Sequence, residues 1–354
     1  MKTYGVIMAG GGGTRFWPLS RKDVPKQLLN LSGKDIMINE SIDRLAHLID
    51  YRNIFVVTNV SQEDKLRQMT NGRLLNEHIL VESAARNTAA CIGYAAVEIL
   101  KKYGDGIMVI TPSDAYIRNE DAFTEVLKQA VSVAEETNKL VTVGITPTYP
   151  ATGYGYIQYR QTNKIAKEVV RFVEKPAHEI AEEYIKKGDF VWNSGMFIWR
   201  ASTILEKFRI YLPDVYLFLD QIADALGSMD EVEKIAKIYS SIPSVSIDYG
   251  IMEKCSDILV IPGDFGWNDV GSLDMLNVLH DEDERGNIPI GDVMMFDTAN
   301  TTVFSQGRMV ATIGVKDLII VETADAVLVC KKDMAQDVKQ VVEELKSKGK
   351  EELL

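Results

Sequence analysis

Residues 9 to 29, AGGGGTRFWPLSRKDVPKQLL, set four consecutive glycines behind an apolar strand and follow them with Arg15, Pro18, Pro25 and Lys26. Backbone N–H groups exposed in such a loop form an anion nest, and the guanidinium and ammonium supply the net charge that neutral amides lack. The chemistry this suits is polyphosphate binding. Two familiar phosphate loops are excluded by the spacing. A Walker loop ends in Gly-Lys-Ser/Thr, whereas Gly12 and Gly13 lead into Thr14 and Arg15. A dinucleotide fingerprint counted from Gly10 and Gly12 needs its next glycine where this chain has Arg15, a long cation brought toward the anion.

The elements that must hold this loop are short apolar runs alternating with amphipathic stretches. YGVIMA (4–9), NIFVVTN (53–59), GIMVI (106–110) and LVTVGI (140–145) have strand length and β-branched content. Ile38, Ile42, Leu45 and Ile49 recur at helical spacing in 38–50. Phe123, Val126, Leu127, Ala130 and Ala134 do so in 120–137, behind an Asn119 cap and an acidic first turn. This order predicts an α/β fold with a Rossmann-like mixed, mainly parallel sheet and helices on both faces. Ligands of such sheets sit beyond the carboxyl ends of the strands, where the glycine run falls.

The pattern changes after residue 285. Many short β-type runs with turn residues between them predict a small separate β unit, followed by a helix over about 334–348 with Val338, Val341, Val342 and Leu345 on one side. The expected division is 1–285, a catalytic domain, and 286–354, a small β domain with a terminal helix. No low-complexity linker separates them, so they should pack together.

Composition restricts partners more than fold. With 354 residues, 46% hydrophobic and 25% charged, the chain reads as an ordinary globular protein of about two domains. A net charge of −12 argues against nucleic acid as the main partner, while a small anion held by a few local cations stays compatible. Cys91, Cys255 and Cys330 are far apart, with no CxxC pair or His cluster, and read as buried structural thiols. The apolar stretch at the N-terminus is too short for a signal sequence, and no run approaches the roughly 18 apolar residues of a membrane span. The expected location is the cytoplasm, without membrane contact.

Residues 9–29 resemble the signature of sugar-nucleotide pyrophosphorylases. ESAARNTAA (82–90), TPSD (111–114), TGYGYI (152–157), FVEKP (172–176), WNSGMF (192–197), DYGIMEK (248–254) and WNDVGS (267–272) are similar, in order, to the motifs of mannose-1-phosphate guanylyltransferases. The resemblance implies GMP transfer from GTP to mannose 1-phosphate, giving GDP-mannose and pyrophosphate. The sugar phosphate is already largely anionic at neutral pH, so no protein base is needed. What catalysis requires is to overcome anion repulsion, align the reactants and stabilise the leaving pyrophosphate.

Under that resemblance Arg15 and the amides of Gly10, Gly11 and Gly12 take the triphosphate, and Lys26 takes the attacking phosphate or the α-phosphate. Lys175 is the sugar-phosphate cation. Asp114 and Asp269 resemble the ligands of Mg²⁺, a cation that binds through one or two carboxylates and keeps the rest of its shell for phosphate and water. Glu82 meets the base: a carboxylate accepts from guanine N1–H and N2–H₂ together, whereas uracil and thymine call for an amide. Ser83 stands where the family commonly has proline. Asn87 and Thr88 complete the nucleotide side, and Gly155, Glu174 and Asn193 surround the hexose. Trp192 and Trp267 read as packing residues. Asp248 and Tyr249 match a motif without a role.

None of His47, His78, His178 and His280 lies in these motifs, which disfavours nucleophilic catalysis. Alternatives left open are a pyrophosphorylase for another sugar 1-phosphate, glucose or a heptose, and a non-catalytic nucleotide-sugar-sensing subunit. Some relatives carry a following isomerase module of cupin type, which the chain is expected to lack. The resemblance further implies a left-handed β-helix-like C-terminal unit that helps relatives form homodimers.

Overall fold

The computed structural model describes residues 1–70 and 72–354. Strand and helix alternate from the start: β1 (Thr3–Ala9), α1 (Met37–Ala46), β2 (Ile54–Asn59), α2 (Glu63–Met69), β3 (Ile79–Glu82), α3 (Asn87–Tyr103) and β4 (Ile107–Pro112). The two-residue β5 (Tyr116–Ile117) leads into α4 (Glu120–Thr137) and β6 (Leu140–Ile145). Next come β7 (Tyr156–Tyr159), β8 (Lys167–Val173), α5 (His178–Lys187) and β9 (Phe190–Arg200). Three helices follow, α6 (Ala201–Tyr211), α7 (Pro213–Ala225) and α8 (Glu231–Tyr239), before β10 (Ile258–Gly263) and β11 (Trp267–Asn268).

Nine strands form one sheet in the order β3-β2-β1-β4-β9-β6-β10-β8-β7. The pairs β3-β2, β2-β1, β1-β4 and β6-β10 are parallel, while β9 opposes β4, β6 and β7, and β8 opposes β10 and β7. The sheet is mixed, with only β8 and β9 running against the rest. The chain leaves β1 toward β2 on one side and returns to β4 on the other. A crevice therefore opens at their carboxyl ends, at the topological switch point.

One face of the sheet packs on α3, α6, α7 and α8 around Phe55, Trp199 and Leu219; the other packs on α1, α4 and α5 around Ile42, Phe123 and Leu127. Asn119 caps α4 as its sequence suggests, accepting from Ala122 N at 3.0 Å. The stripe predicted over 38–50 is helical only to Ala46. There the N–H groups of Leu48 and Ile49 both turn to Leu45 O, at 3.0 and 2.9 Å, and tighten the end. Ile49 stays buried despite this.

The C-terminal unit holds β12 (Ile288–Ile290), β13 (Val293–Phe296), β14 (Thr302–Ser305), β15 (Val310–Ile313), β16 (Leu318–Glu322) and β17 (Val327–Lys331). β12-β14-β16 and β13-β15 stack in parallel, a β-helix-like arrangement that β17 closes antiparallel. Asp297, Asn300 and Asp317 take the left-handed conformation, with φ of 48, 46 and 57°, at its corners. The predicted helix over 334–348 is α9 (Val338–Ser347); the residues before it form a 3-10 turn, Lys332–Asp337. The unit does pack on the rest. Phe16, Trp17, Leu31 and Leu273 share one core with Ile319, Val321, Val338 and Val342.

Cys91 and Cys255 are buried free thiols; Cys330 is only half-buried, because β17 is an edge strand with one open face. No helix among the described residues is long and apolar enough to cross a membrane.

Candidate active site

The glycine loop leaves β1 at the crevice and turns into a 3-10 turn, Thr14–Phe16, that carries Arg15. Gly13 has φ of 64°, and a Cβ placed on it would stand 2.5 Å from the Lys26 Cβ, so only glycine fits. Four loop carbonyls are tied back, that of Gly10 by Asn59 Nδ2 at 3.3 Å. Gln27 Nε2 donates to Ala9 O and Gly11 O at 2.9 and 3.1 Å, Gln62 Nε2 to Gly11 O at 3.1 Å, and Ser20 Oγ to Gly13 O at 2.7 Å. Turning carbonyls away from the crevice removes the dipoles that would repel an anion there.

Lys26 is buried at 5% exposure and uses its three protons on Asp114 O, Asp114 Oδ2 and Asp269 O, at 3.0, 2.9 and 2.7 Å. The ammonium thus joins the loop after β4 to the turn after β11. In that turn Asn268 Oδ1 accepts from Val270 N at 2.7 Å, and Val270 sits at φ 44°, a conformation a β-branched residue rarely takes. A 3-10 turn, Leu273–Val278, follows it. Asp269 Oδ1 accepts from the Tyr154 hydroxyl at 2.7 Å, and burial next to this carboxylate pushes the phenol well above its ordinary range. Trp192 and Trp267 meet the Tyr154 ring edge-on, at 5.1 and 5.3 Å, as packing elements.

These groups line a cavity of about 470 Å³. Arg15, Lys26, Asp114 and Asp269 form one part of its wall; Gly155, Glu174, Lys175 and Asn193 form another. A Cβ on Gly155 would lie 2.7 Å from Glu174 Oε2, so the bare backbone is what lets the carboxylate in. Asn193 N donates to Gly155 O at 2.8 Å, and Asn193 Nδ2 donates to Asp248 Oδ1 at 2.8 Å. Asp248 opens a single π-type turn, Asp248–Met252, a feature that recurs at functional sites. Enclosure, with Glu174 nearby as a second cause, raises its carboxyl from 3.8 to about 6.

The nucleotide-side residues lie apart from this cavity. Gly10 and Gly12 line an adjoining one of about 410 Å³, and Thr14 borders both. Glu82 is buried at the end of β3 with one oxygen accepting from the Tyr239 hydroxyl, and burial raises its carboxyl to about 7. A Cβ on Gly10 would stand 2.9 Å from the other oxygen, which puts Glu82 against the glycine loop. Asn87, at φ 65°, opens α3 and accepts from Thr88 N at 2.8 Å; Thr88 Oγ1 accepts from Ile247 N at 2.9 Å. Neither lines the main cavity. Ser83 replaces the rigidity of a proline with hydrogen bonds: its hydroxyl donates to Ala236 O at 2.7 Å and lies 3.0 Å from Ser240 Oγ.

The Nucleotidyl transferase family description matches residues 4–286, around the whole of this crevice. The chain belongs to that family. The description MannoseP isomerase/GMP-like beta-helix domain matches residues 291–345. Mannose-1-phosphate guanylyltransferase ManC of Salmonella typhimurium is 39% identical over 99% of this chain and 75% of its own length. Xanthan biosynthesis protein XanB of Xanthomonas campestris pv. campestris is 41% identical over 98% of this chain and 74% of its own. A Thermus thermophilus crystal structure, described as a mannose-1-phosphate geranyltransferase, has a TM-score of 0.89 at 34% identity and covers 98% of this chain and 100% of that one. Within the nucleotidyl transferases the chain is a member of the mannose-1-phosphate guanylyltransferase group.

Nucleotidyl transferases generally work with a divalent metal. The donor set here fits one. Asp114 and Asp269 are each anchored through one oxygen, by Lys26 and Tyr154, and both residues line the same cavity. Among the described residues no three His, Cys, Asp or Glu side chains converge, so substrate oxygens and water must complete the shell.

Sequence reasoning did not give Gln27, Gln62, Tyr154, Asp248 or Tyr239 a task. Two carried a signal: Tyr154 stands inside TGYGYI, and Gln27 follows Lys26 directly.

Proposed function

We propose that this protein transfers GMP from GTP to α-D-mannose 1-phosphate, with GDP-mannose and pyrophosphate as products. The observation that carries the reading is the joining, in one cavity, of two cations and two carboxylates beside the Gly155, Glu174 and Asn193 wall. Arg15 and the glycine-loop amides hold the triphosphate and stabilise charge on the leaving pyrophosphate. Lys175 anchors the sugar phosphate, and Glu174 and Asn193 take the hexose hydroxyls. Lys26, whose three protons are taken by protein acceptors, fixes both aspartate-bearing loops and adds its positive charge to the wall where the phosphates react instead of binding them directly. Asp114 and Asp269 would hold Mg²⁺, which when bound supplies positive charge to the phosphates.

Glu82 reads guanine, with Asn87 and Thr88 completing the nucleotide side. Residues 1–285 form the catalytic unit and 286–354 the supporting β unit. The protein works in the cytoplasm, and copies associate through the exposed Met294, Phe296 and Ile313 of β13 and β15.

The deciding experiment pairs GTP, ATP, UTP and dTTP with the 1-phosphates of mannose, glucose and a heptose, in Mg²⁺, scored by pyrophosphate release. Fastest release with GTP and mannose 1-phosphate is expected. Preference for another base or sugar replaces the substrate assignment, and GDP-mannose binding without turnover replaces the catalytic one.

A further inference from the structure

Tyr239 lies outside every motif of the sequence, yet it holds the carboxylate assigned to the base. Glu82 closes β3 opposite Asn59 of β2, and its side chain is buried. Tyr239, fully buried in the last turn of α8, donates its hydroxyl to Glu82 Oε1, while Glu82 Oε2 faces Gly10. A phenol hydroxyl has one proton to give, so this donation fixes the rotation of the carboxylate. Each carboxylate oxygen has two acceptor positions, and both oxygens remain able to receive an N–H from a base.

The surrounding turn is fastened to the same helix end. Ser83 Oγ donates to Ala236 O at 2.7 Å, and Arg86 donates to Ser240 O. The Tyr239 ring meets Tyr94 of α3 edge-on at 5.8 Å, so the phenol is itself held.

The groups facing Glu82 are few. Tyr239 comes from α8 and the Cys91 thiol from α3, with Tyr94 behind; the glycine loop and Asn59 bring no charge. Arg86 is turned to the Ser240 carbonyl instead. Burial pushes the Cys91 thiol and the Tyr239 phenol up, so both are neutral donors at pH 7. Burial alone drives Glu82 toward the protonated form, and the Tyr239 hydrogen bond is what opposes it.

We infer that Tyr239 is a positioning residue for base recognition: its hydroxyl orients Glu82 and keeps it an acceptor for the two adjacent N–H groups of guanine. The inference rests on the reading of Glu82 as the base contact. Without the hydroxyl the carboxylate protonates at higher pH and loses its fixed rotation. A protonated Glu82 presents O–H toward base N–H groups and cannot accept from both.

The test measures KM for GTP from pH 6 to 9 in the wild type, Tyr239→Phe and Glu82→Gln. In the wild type KM should rise as pH falls through about 7. In Tyr239→Phe that rise should move to higher pH by about one unit, so KM at pH 7 increases about fivefold. KM for mannose 1-phosphate and kcat at pH 9 should stay within about twofold. Discrimination between GTP and ITP, which lacks the 2-amino group, should shrink. An unshifted profile in folded Tyr239→Phe overturns the inference while leaving the base reading intact. An unchanged KM for GTP in Glu82→Gln overturns the base reading itself. If Tyr239→Phe does not fold, a fluorotyrosine at position 239, a stronger donor, should move the profile to lower pH, and no movement overturns the inference.

Discussion

Trp17 donates its indole N–H to the backbone carbonyl of Leu353 at 2.8 Å, across 336 residues of chain. Trp17 is two residues from Arg15, so the C-terminal turn is joined to the loop that carries Arg15. Arg21 reinforces the joint by pairing with Asp325 at 2.7 Å. The β unit therefore acts as a buttress for the signature loop.

Trp17→Phe keeps most of the apolar contact and deletes the donor. Losing one such hydrogen bond costs about 1 kcal/mol, or about 2 °C in Tm for a chain of this size. KM for GTP should rise about threefold, because a loop ordered in advance binds with less entropy loss. Thermal melts and initial rates check both, and an unchanged KM with a lowered Tm would show that the joint serves stability alone.

Lys26 binds two loops through three acceptors, and its removal should do more than delete a charge. In Lys26→Met both the Asp114 and Asp269 loops lose their shared donor, so kcat should fall by at least about 10²-fold. Asp114→Asn and Asp269→Asn should each raise the Mg²⁺ concentration needed for half-maximal rate, with the fold kept by circular dichroism. A Mg²⁺ titration identical to wild type in both aspartate variants removes them from the metal site.

Gly155→Ala introduces one methyl 2.7 Å from Glu174 Oε2. The carboxylate must then turn away from the Gly155 backbone. KM for mannose 1-phosphate should rise about tenfold or more, in line with what one methylene can do in a fitted pocket. KM for GTP should move far less, since Gly10 and Gly12 line the adjoining cavity. Equal increases in both values would place Gly155 in a general structural role.

Local chemistry was legible in the sequence and long-range chemistry was not. α4 could be read with its Asn119 cap, and β6 to the residue, because each depends on neighbours in the chain. Arg15 and Lys26 stood out in the glycine-rich segment itself, whereas Asp114 and Asp269 were singled out only through the motifs of the resemblance. Tyr239 and Glu82 are 157 residues apart, and Asn193 and Asp248 are 55 apart. Nothing in the periodicity near Tyr239 distinguishes it from any aromatic on a buried helix face. The end of α1 was overrun for a related reason: Ile49 keeps the apolar rhythm, yet the backbone there has already tightened into a turn.

Asp248 gives the last prediction, on pH. Its carboxyl is raised from 3.8 to about 6, with burial the first cause and Glu174 the charge next to it. A raised carboxyl means that the folded state favours the neutral acid. The stability it contributes is therefore complete below about pH 4 and is lost as pH rises through about 6. Asn at this position is neutral throughout and can still accept from Asn193 Nδ2. Asp248→Asn should match wild-type stability near pH 4 and exceed it at pH 8, by a margin on the order of 2 kcal/mol. The same change should raise KM for mannose 1-phosphate at pH 8, where the wild-type carboxylate is a full acceptor for a sugar hydroxyl. Denaturant unfolding at both pH values and substrate kinetics at pH 8 separate the effects. A stability gain without a change in KM would show that Asp248 serves Asn193 and not the sugar.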